Sequence, residues 1–271
     1  MKLKDYISAI ILTVILVACV PGNKKEETAK ANIKEVTFAR YEHIVRIPID
    51  EYAKEAPALR CEFMIEEAES QDKEIEKNIN EGIAYAIFGY DGICPKEATD
   101  SFIATIKDEY LSLRPEYYNE KAMNSGAEWF NYNYTIKSSV TRGYKDIINY
   151  SITTDTYTGG AHGSFTTTLL NFDPATGKEI KLNDFFKDNF EEVLIDRLTR
   201  ALVKRVGAQS FEELQEMGYL VFNDMFVTDN FELGKDSVRF HYNQYDIAPY
   251  ALGSSDLTFT YEELKDLIKE Q

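Results

Sequence analysis

His162 and Ser164 stand two residues apart and are the nearest this chain comes to a nucleophile beside its base. A serine nucleophile needs a base within hydrogen-bond reach and a third group to orient that base. Residues two apart on a strand share a face, which is proximity without a triad. No Gly-x-Ser-x-Gly elbow is present. A glycosidase would need two carboxylates at a set separation. With 46 acidic residues any pair can be drawn, so such a pair carries no specificity. A catalytic metal would need His or carboxylate ligands at helical or turn spacing. Three isolated histidines, His43, His162 and His241, do not supply it. These residues predict no catalysis, no metal and no cofactor.

Binding is the better use of the same side chains. His162 follows Gly159 and Gly160, which permit a left-handed or close-packed backbone. It is either a rim residue that meets a ligand, or a turn histidine whose ring bonds the backbone and holds the corner. His241 shares a strand face with Arg239, opposite Phe240 and Tyr242, and reads as a packed or solvated strand residue. His43 reads the same way. Tyr245, Pro249 and Tyr250 lie in a loop over 244–253. Rigid aromatics there offer large contact area at low entropic cost, and Pro249 stiffens the loop. The other reading of Tyr250 is a core plug at the end of a sheet. The run from Trp129 to Tyr134 is either an aromatic glycan platform or a sheet face under helices.

The start of the chain carries a different chemistry. Lys2 and Lys4 precede a short apolar run from Ile7 to Ala18. Spanning a bilayer takes about 20 apolar residues, so this run reads as a secretory signal peptide over 1–18. Leu16-Val17-Ala18-Cys19 resembles the lipobox of bacterial lipoproteins. That resemblance implies cleavage before Cys19 and lipid on its thiol. Val20, not Asp, follows the cysteine, which resembles passage to the outer membrane in a double-membrane bacterium. Cys61 and Cys94 are then an even pair on the exported side, where disulfides persist. We expect them bridged across a mostly helical segment, a closure worth roughly 3–4 kcal/mol. Two buried free thiols are the other reading.

These groups must be held by an ordered body. Residues 19–34 are polar and charged and read as a lipidated tether. Strands are expected over 36–47 and 58–68. A helix starts at Asp72 with Ile75, Ile79, Ile83 and Ile87 in one stripe. A second helix over 99–113 places Phe102, Ile106 and Tyr110 together and is stopped by Pro115. Three long strands, over 129–136, 144–156 and 164–172, make an antiparallel meander. Val193, Leu194, Leu198, Leu202 and Val206 form a helical stripe that ends at Gly207. A short helix over 210–217, a hairpin over 231–242, a strand over 257–260 and a helix over 261–269 complete the chain. Partly segregated strand and helix runs predict an α+β fold. The expected division is an N-terminal α+β domain over 35–125 and a C-terminal one over 126–271.

Two segments resemble a known family. The run Thr158-Gly159-Gly160-Ala161-His162 leads into Asn171-Phe172-Asp173, Thr176-Gly177-Lys178 and Leu182-Asn183-Asp184-Phe185-Phe186. Later comes Tyr245-Asp246-Ile247-Ala248-Pro249-Tyr250-Ala251-Leu252-Gly253. Together they resemble the extracytoplasmic domain of lysozyme-sensing anti-sigma factors, which is also a non-catalytic accessory domain of some peptidoglycan deacetylases and a stand-alone lipoprotein. No sigma-binding segment, spanning helix or deacetylase domain accompanies it here. The resemblance implies the fold and a binding habit, carried by loops, toward lysozyme or peptidoglycan.

Charge agrees with that implication. The chain carries a formal net charge of −16, which disfavours nucleic acid and an anionic membrane surface as partners. It suits a cationic partner such as a lysozyme-like enzyme. The expectation is a non-catalytic, lipid-anchored envelope protein that binds such an enzyme or peptidoglycan, reaching the membrane through lipid alone. A hydrolase acting on envelope glycan is the alternative.

Overall fold

The computed structural model describes residues 35–123 and 127–270. The expected signal peptide, Cys19 and the expected tether lie outside them. Strands β1 (Val36–Pro48) and β2 (Ala58–Ser70) form a hairpin. Three helices follow, α1 (Lys73–Phe88), α2 (Pro95–Ser112) and α3 (Arg114–Ala122). The chain returns as β3 (Tyr132–Arg142), then β4 (Ile148–Tyr157) and β5 (Ser164–Phe172). The five strands lie in sequence order, with β2 and β3 parallel and every other pair antiparallel. A parallel pair needs a crossover rather than a tight turn, and α1 to α3 supply it.

The second half holds α4 (Leu182–Phe185), α5 (Glu191–Val206) and α6 (Phe211–Glu216). A three-stranded antiparallel sheet follows, β6 (Phe231–Leu233), β7 (Ser237–Tyr242) and β8 (Ser255–Thr260), then α7 (Tyr261–Leu264). The fold is α+β, as the segregated runs predicted.

Local rules explain the helices. The Asp72 carboxylate accepts from the Glu74 and Ile75 amides and caps α1, and Gly89 ends it in the left-handed conformation. Ile75, Ile79 and Ile83 are buried under that stripe. Leu194, Leu198 and Leu202 do the same for α5, which Gly207 closes. Pro115 does more than stop α2: it sits in the first turn of α3, where its missing N–H leaves nothing unpaired. The last helix is shorter than expected, a single turn in which Thr260 and Glu263 cap each other.

The expected domain boundary at 125/126 is corrected. β3 pairs with β2, so strands from both sides of that point share one sheet. Phe63 and Ile83 accordingly lie in one core with Ile136, Tyr150 and Phe172. A second core gathers Phe185, Leu198, Phe240 and Leu257 around α5 and the small sheet. Ile33–Gln271 is one compact unit.

The expected disulfide is also corrected. Cys61 and Cys94 are both free thiols. The Lys96 amide donates to the Glu67 carboxylate at 3.0 Å, which sets Cys94 at the Glu67 level of β2. Cys61 lies back along the same strand, roughly 20 Å from Glu67 at the usual rise per residue. A disulfide allows about 7 Å between Cα atoms.

Asparagines join the two sheets. Asn171 accepts from the Leu233 amide at 2.8 Å and donates to the Phe231 carbonyl at 2.9 Å. Asn230 accepts from the Leu169 amide at 2.8 Å and donates to the Thr167 carbonyl at 2.7 Å. Asn149 donates to Asn171 Oδ1 at 2.9 Å. Asn230 thus pairs backbone groups on the β5 edge, while Asn171, itself in β5, pairs those of β6.

Candidate functional site

Three loops converge at one end of the small sheet. The first is the tip between β4 and β5. Gly159 and Gly160 there adopt φ of +87° and +94°. A Cβ on Gly163 would fall 2.6 Å from the Thr156 carbonyl oxygen, so the turn closes only with glycine. His162 is exposed, and its Nδ1 donates to the Gly163 carbonyl at 2.8 Å.

The second loop is the aromatic one after β7. The Asn243 amide donates to Asp246 Oδ2 at 2.6 Å, and the Tyr245 amide to the Ala248 carbonyl at 2.9 Å. Tyr245 takes φ of +72°, a left-handed backbone that a bulky residue adopts only when its surroundings enforce it. The third loop follows α6. Leu220 takes φ of +52° and its amide donates to the Ile247 carbonyl at 2.8 Å, which ties this loop to the second. Asn223 Nδ2 donates to the Asp246 carbonyl at 3.2 Å. The Tyr242 hydroxyl, whose pKa burial raises, donates to the Phe226 carbonyl at 2.6 Å.

The sequence-selected residues meet here. The rings of His162 and Tyr250 stack with centroids 4.1 Å apart and planes 23° apart. The Tyr245 ring lies 6.0 Å from that of Tyr250. Pro249 is exposed beside them. Tyr250 is half-buried, so it is neither a core plug nor a free side chain. The His162 ring bonds the backbone of its own turn and is exposed.

Sequence reasoning missed the third loop. Phe222 is 88% exposed, Tyr245 58% and Val221 49%, and Met217 and Leu252 are exposed beside them. Val221, Phe222, Tyr245 and Pro249 line a shallow cleft of about 120 Å³. Large apolar side chains gathered on a surface mark an interaction site more often than scattered ones do. The available signal was the run Leu220-Val221-Phe222 just after Gly218, apolar yet outside any helical or strand period.

Other candidates lie elsewhere. His241 is buried, with Nδ1 2.7 Å from Asp256 Oδ1 and Nε2 3.3 Å from Asn243 Oδ1. It therefore supports the residue that anchors the aromatic loop. His43 bonds the Tyr41 hydroxyl at 2.9 Å on β1. No hydrogen bond joins His162 to Ser164 among the described residues. Among them, too, no group of three His, Cys, Asp or Glu side chains could hold a metal ion, and no helix is long and apolar enough to cross a membrane. Trp129 packs on Phe130 at 3.8 Å, and Phe130 is fully buried, so this segment serves the core beneath the helices.

Comparison with known proteins fits this architecture. A crystal structure of a DUF3298-family member from Bacteroides fragilis superposes with a TM-score of 0.76 at 30% identity, covering 88% of this chain and 94% of that one. This chain belongs to the DUF3298 family. The DUF3298 family model, described as a protein of unknown function, matches residues 183–262. Those residues hold α5, α6 and the small sheet, including Phe222, Tyr245 and Tyr250. A DUF3298-family protein from Pseudomonas aeruginosa shares the fold at 15% identity, with a TM-score of 0.58 over 87% of this chain and 94% of that one. No curated protein matches the chain.

Proposed function

We propose that this DUF3298 protein is a non-catalytic cell-envelope lipoprotein whose apolar rim binds an envelope protein, foremost a lysozyme-like enzyme. One observation carries the reading: exposed Phe222, Val221 and Tyr245 sit with Tyr250 on loops held by backbone bonds and two left-handed residues. Preorganised aromatics of this kind lose little entropy when a partner covers them. The net charge of −16 favours approach of a cationic partner. The resemblance to lysozyme-sensing domains points the same way. Lipid on Cys19 would hold the body at the membrane, at the outer membrane in a double-membrane bacterium.

Peptidoglycan is the second reading, favoured by the His162–Tyr250 stack, since a sugar ring packs on such a face. A hydrolase acting on envelope glycan is the alternative; it finds no support in Ser164 and His162, which are not hydrogen-bonded among the described residues, and needs two carboxylates at a set separation. The test immobilises hen lysozyme and, separately, purified peptidoglycan. Binding to lysozyme that Phe222→Ala weakens about tenfold, with thermal stability unchanged, is the expected result. Binding to peptidoglycan alone selects the second reading, and binding to neither removes both.

A further inference from the structure

A second groove runs between α5 and β8 and shares no lining residue with the apolar rim. Its volume is about 640 Å³. The α5 wall presents Arg197, Arg200, Lys204 and Arg205, a concentration of cations on a chain of net charge −16. Arg197 is committed to Asp266, at 2.6 and 3.0 Å, and Arg200 to Asp196 at 2.6 Å. Among the described residues the Lys204 and Arg205 side chains make no hydrogen bond or ion pair; they act at longer range, on Glu263 and Asp256. Those two acids already have partners, Glu263 in the Thr260 cap and Asp256 on His241. The groove therefore keeps two unengaged cations.

The opposite wall is the edge of a sheet. Asp256, Leu257, Thr258 and Phe259 all line the groove. Successive strand side chains point to opposite faces. A groove that touches four consecutive residues must run along the strand's edge. β8 is the last strand of its sheet and pairs only with β7 among the described residues. Its outer N–H and C=O groups are a template for another strand. Asn230 and Asn243 side chains pair the β5 edge; among the described residues no side chain does the same for the outer edge of β8. Ala201 is half-buried between the walls, and Leu257 and Phe259 line the groove as the edge of the core, almost fully buried.

We propose that this groove binds an extended acidic peptide segment by strand addition to β8. The peptide backbone pairs with the β8 edge. One alternate set of its side chains falls on the Leu257–Phe259 face of the sheet, beside Ala201. Carboxylates of the segment face Lys204 and Arg205. This inference goes beyond the rim reading and does not depend on it.

The probe is a capped peptide of alternating glutamate and valine, matched to the six residues of β8. The corresponding lysine–valine peptide and polygalacturonate, an anionic glycan, are the controls. Expected is saturable binding of the glutamate peptide with slowed hydrogen exchange at the β8 amides. The lysine peptide should not bind. Lys204→Glu combined with Arg205→Glu should weaken binding about tenfold or more. Equal binding by that variant overturns the proposal. So does charge-dependent binding of peptide or polygalacturonate without β8 protection, which would make this a side-chain anion site. Circular dichroism and the urea unfolding midpoint of the variant separate misfolding from loss of the groove.

Discussion

Asn243 pairs with both backbone groups of Thr167: its Oδ1 accepts the Thr167 amide at 2.7 Å and its Nδ2 donates to the Thr167 carbonyl at 3.0 Å. A side chain here does the work of a neighbouring strand. It fastens the aromatic loop to the edge of β5, and His241 supports it from behind through Nε2. Asn243→Ala leaves the Thr167 groups without these partners. We expect a loss of about 1–3 kcal/mol in urea unfolding, with faster hydrogen exchange at Thr167. An unchanged unfolding midpoint would mean that water replaces the amide at no cost.

The His162–Tyr250 stack should register as a coupling. A double-mutant cycle of His162→Ala and Tyr250→Ala is expected to return about 0.5–1.5 kcal/mol of interaction energy. Tyr250→Ala alone should weaken lysozyme binding by about 1–2 kcal/mol. Additive single effects on stability would show that the two rings do not support each other.

The thiols differ in reactivity. Burial pushes the Cys61 thiol up to about 11, whereas Cys94 is partly exposed at the start of α2. The thiolate is the reactive form. Iodoacetamide on folded protein at neutral pH should label Cys94 and spare Cys61, and unfolding should expose both. Peptide mapping reads the result directly. A Cys61–Cys94 linked peptide in non-reduced protein would contradict the structure.

Asp256 sets a pH limit. The hydrogen bond from His241 holds its carboxyl below the usual carboxylate range. A carboxyl whose folded pKa lies below its unfolded one stabilises the fold above the unfolded value. That contribution is lost as pH falls through the folded value. Stability should decline from about pH 4 downward, and Asp256→Asn should flatten this acid limb. Urea midpoints across the acid range measure it; identical limbs for both proteins would exclude Asp256 as a cause.

The anchor is tested at Cys19. Cys19→Ala should abolish incorporation of radioactive palmitate and leave uncut precursor or released protein. The motive is Leu16-Val17-Ala18-Cys19. Equal labelling of both proteins would sink the lipobox assignment.

Local pattern was enough to find α1, α2, α5, α6 and most of the strands, though not α3. The stripes Ile75–Ile79–Ile83 and Leu194–Leu198–Leu202, the Asp72 cap and the glycines at 89 and 207 act over one or two turns. Signals of that range are written in neighbouring residues. The aromatic loop was visible as well, because Tyr245, Pro249 and Tyr250 stand together in the chain. Tertiary structure alone decided the rest. The parallel pairing of β2 with β3 merged two expected domains, and no local pattern names a strand's partner. The distance along β2 kept Cys61 from Cys94. Asn149, Asn171, Asn230 and Asn243 read as ordinary polar residues until their partners arrive from the other sheet. The meeting of His162 with Tyr250 and the exposure of Phe222 have the same origin. Each depends on which distant segments pack together, and periodicity within one segment carries no record of that.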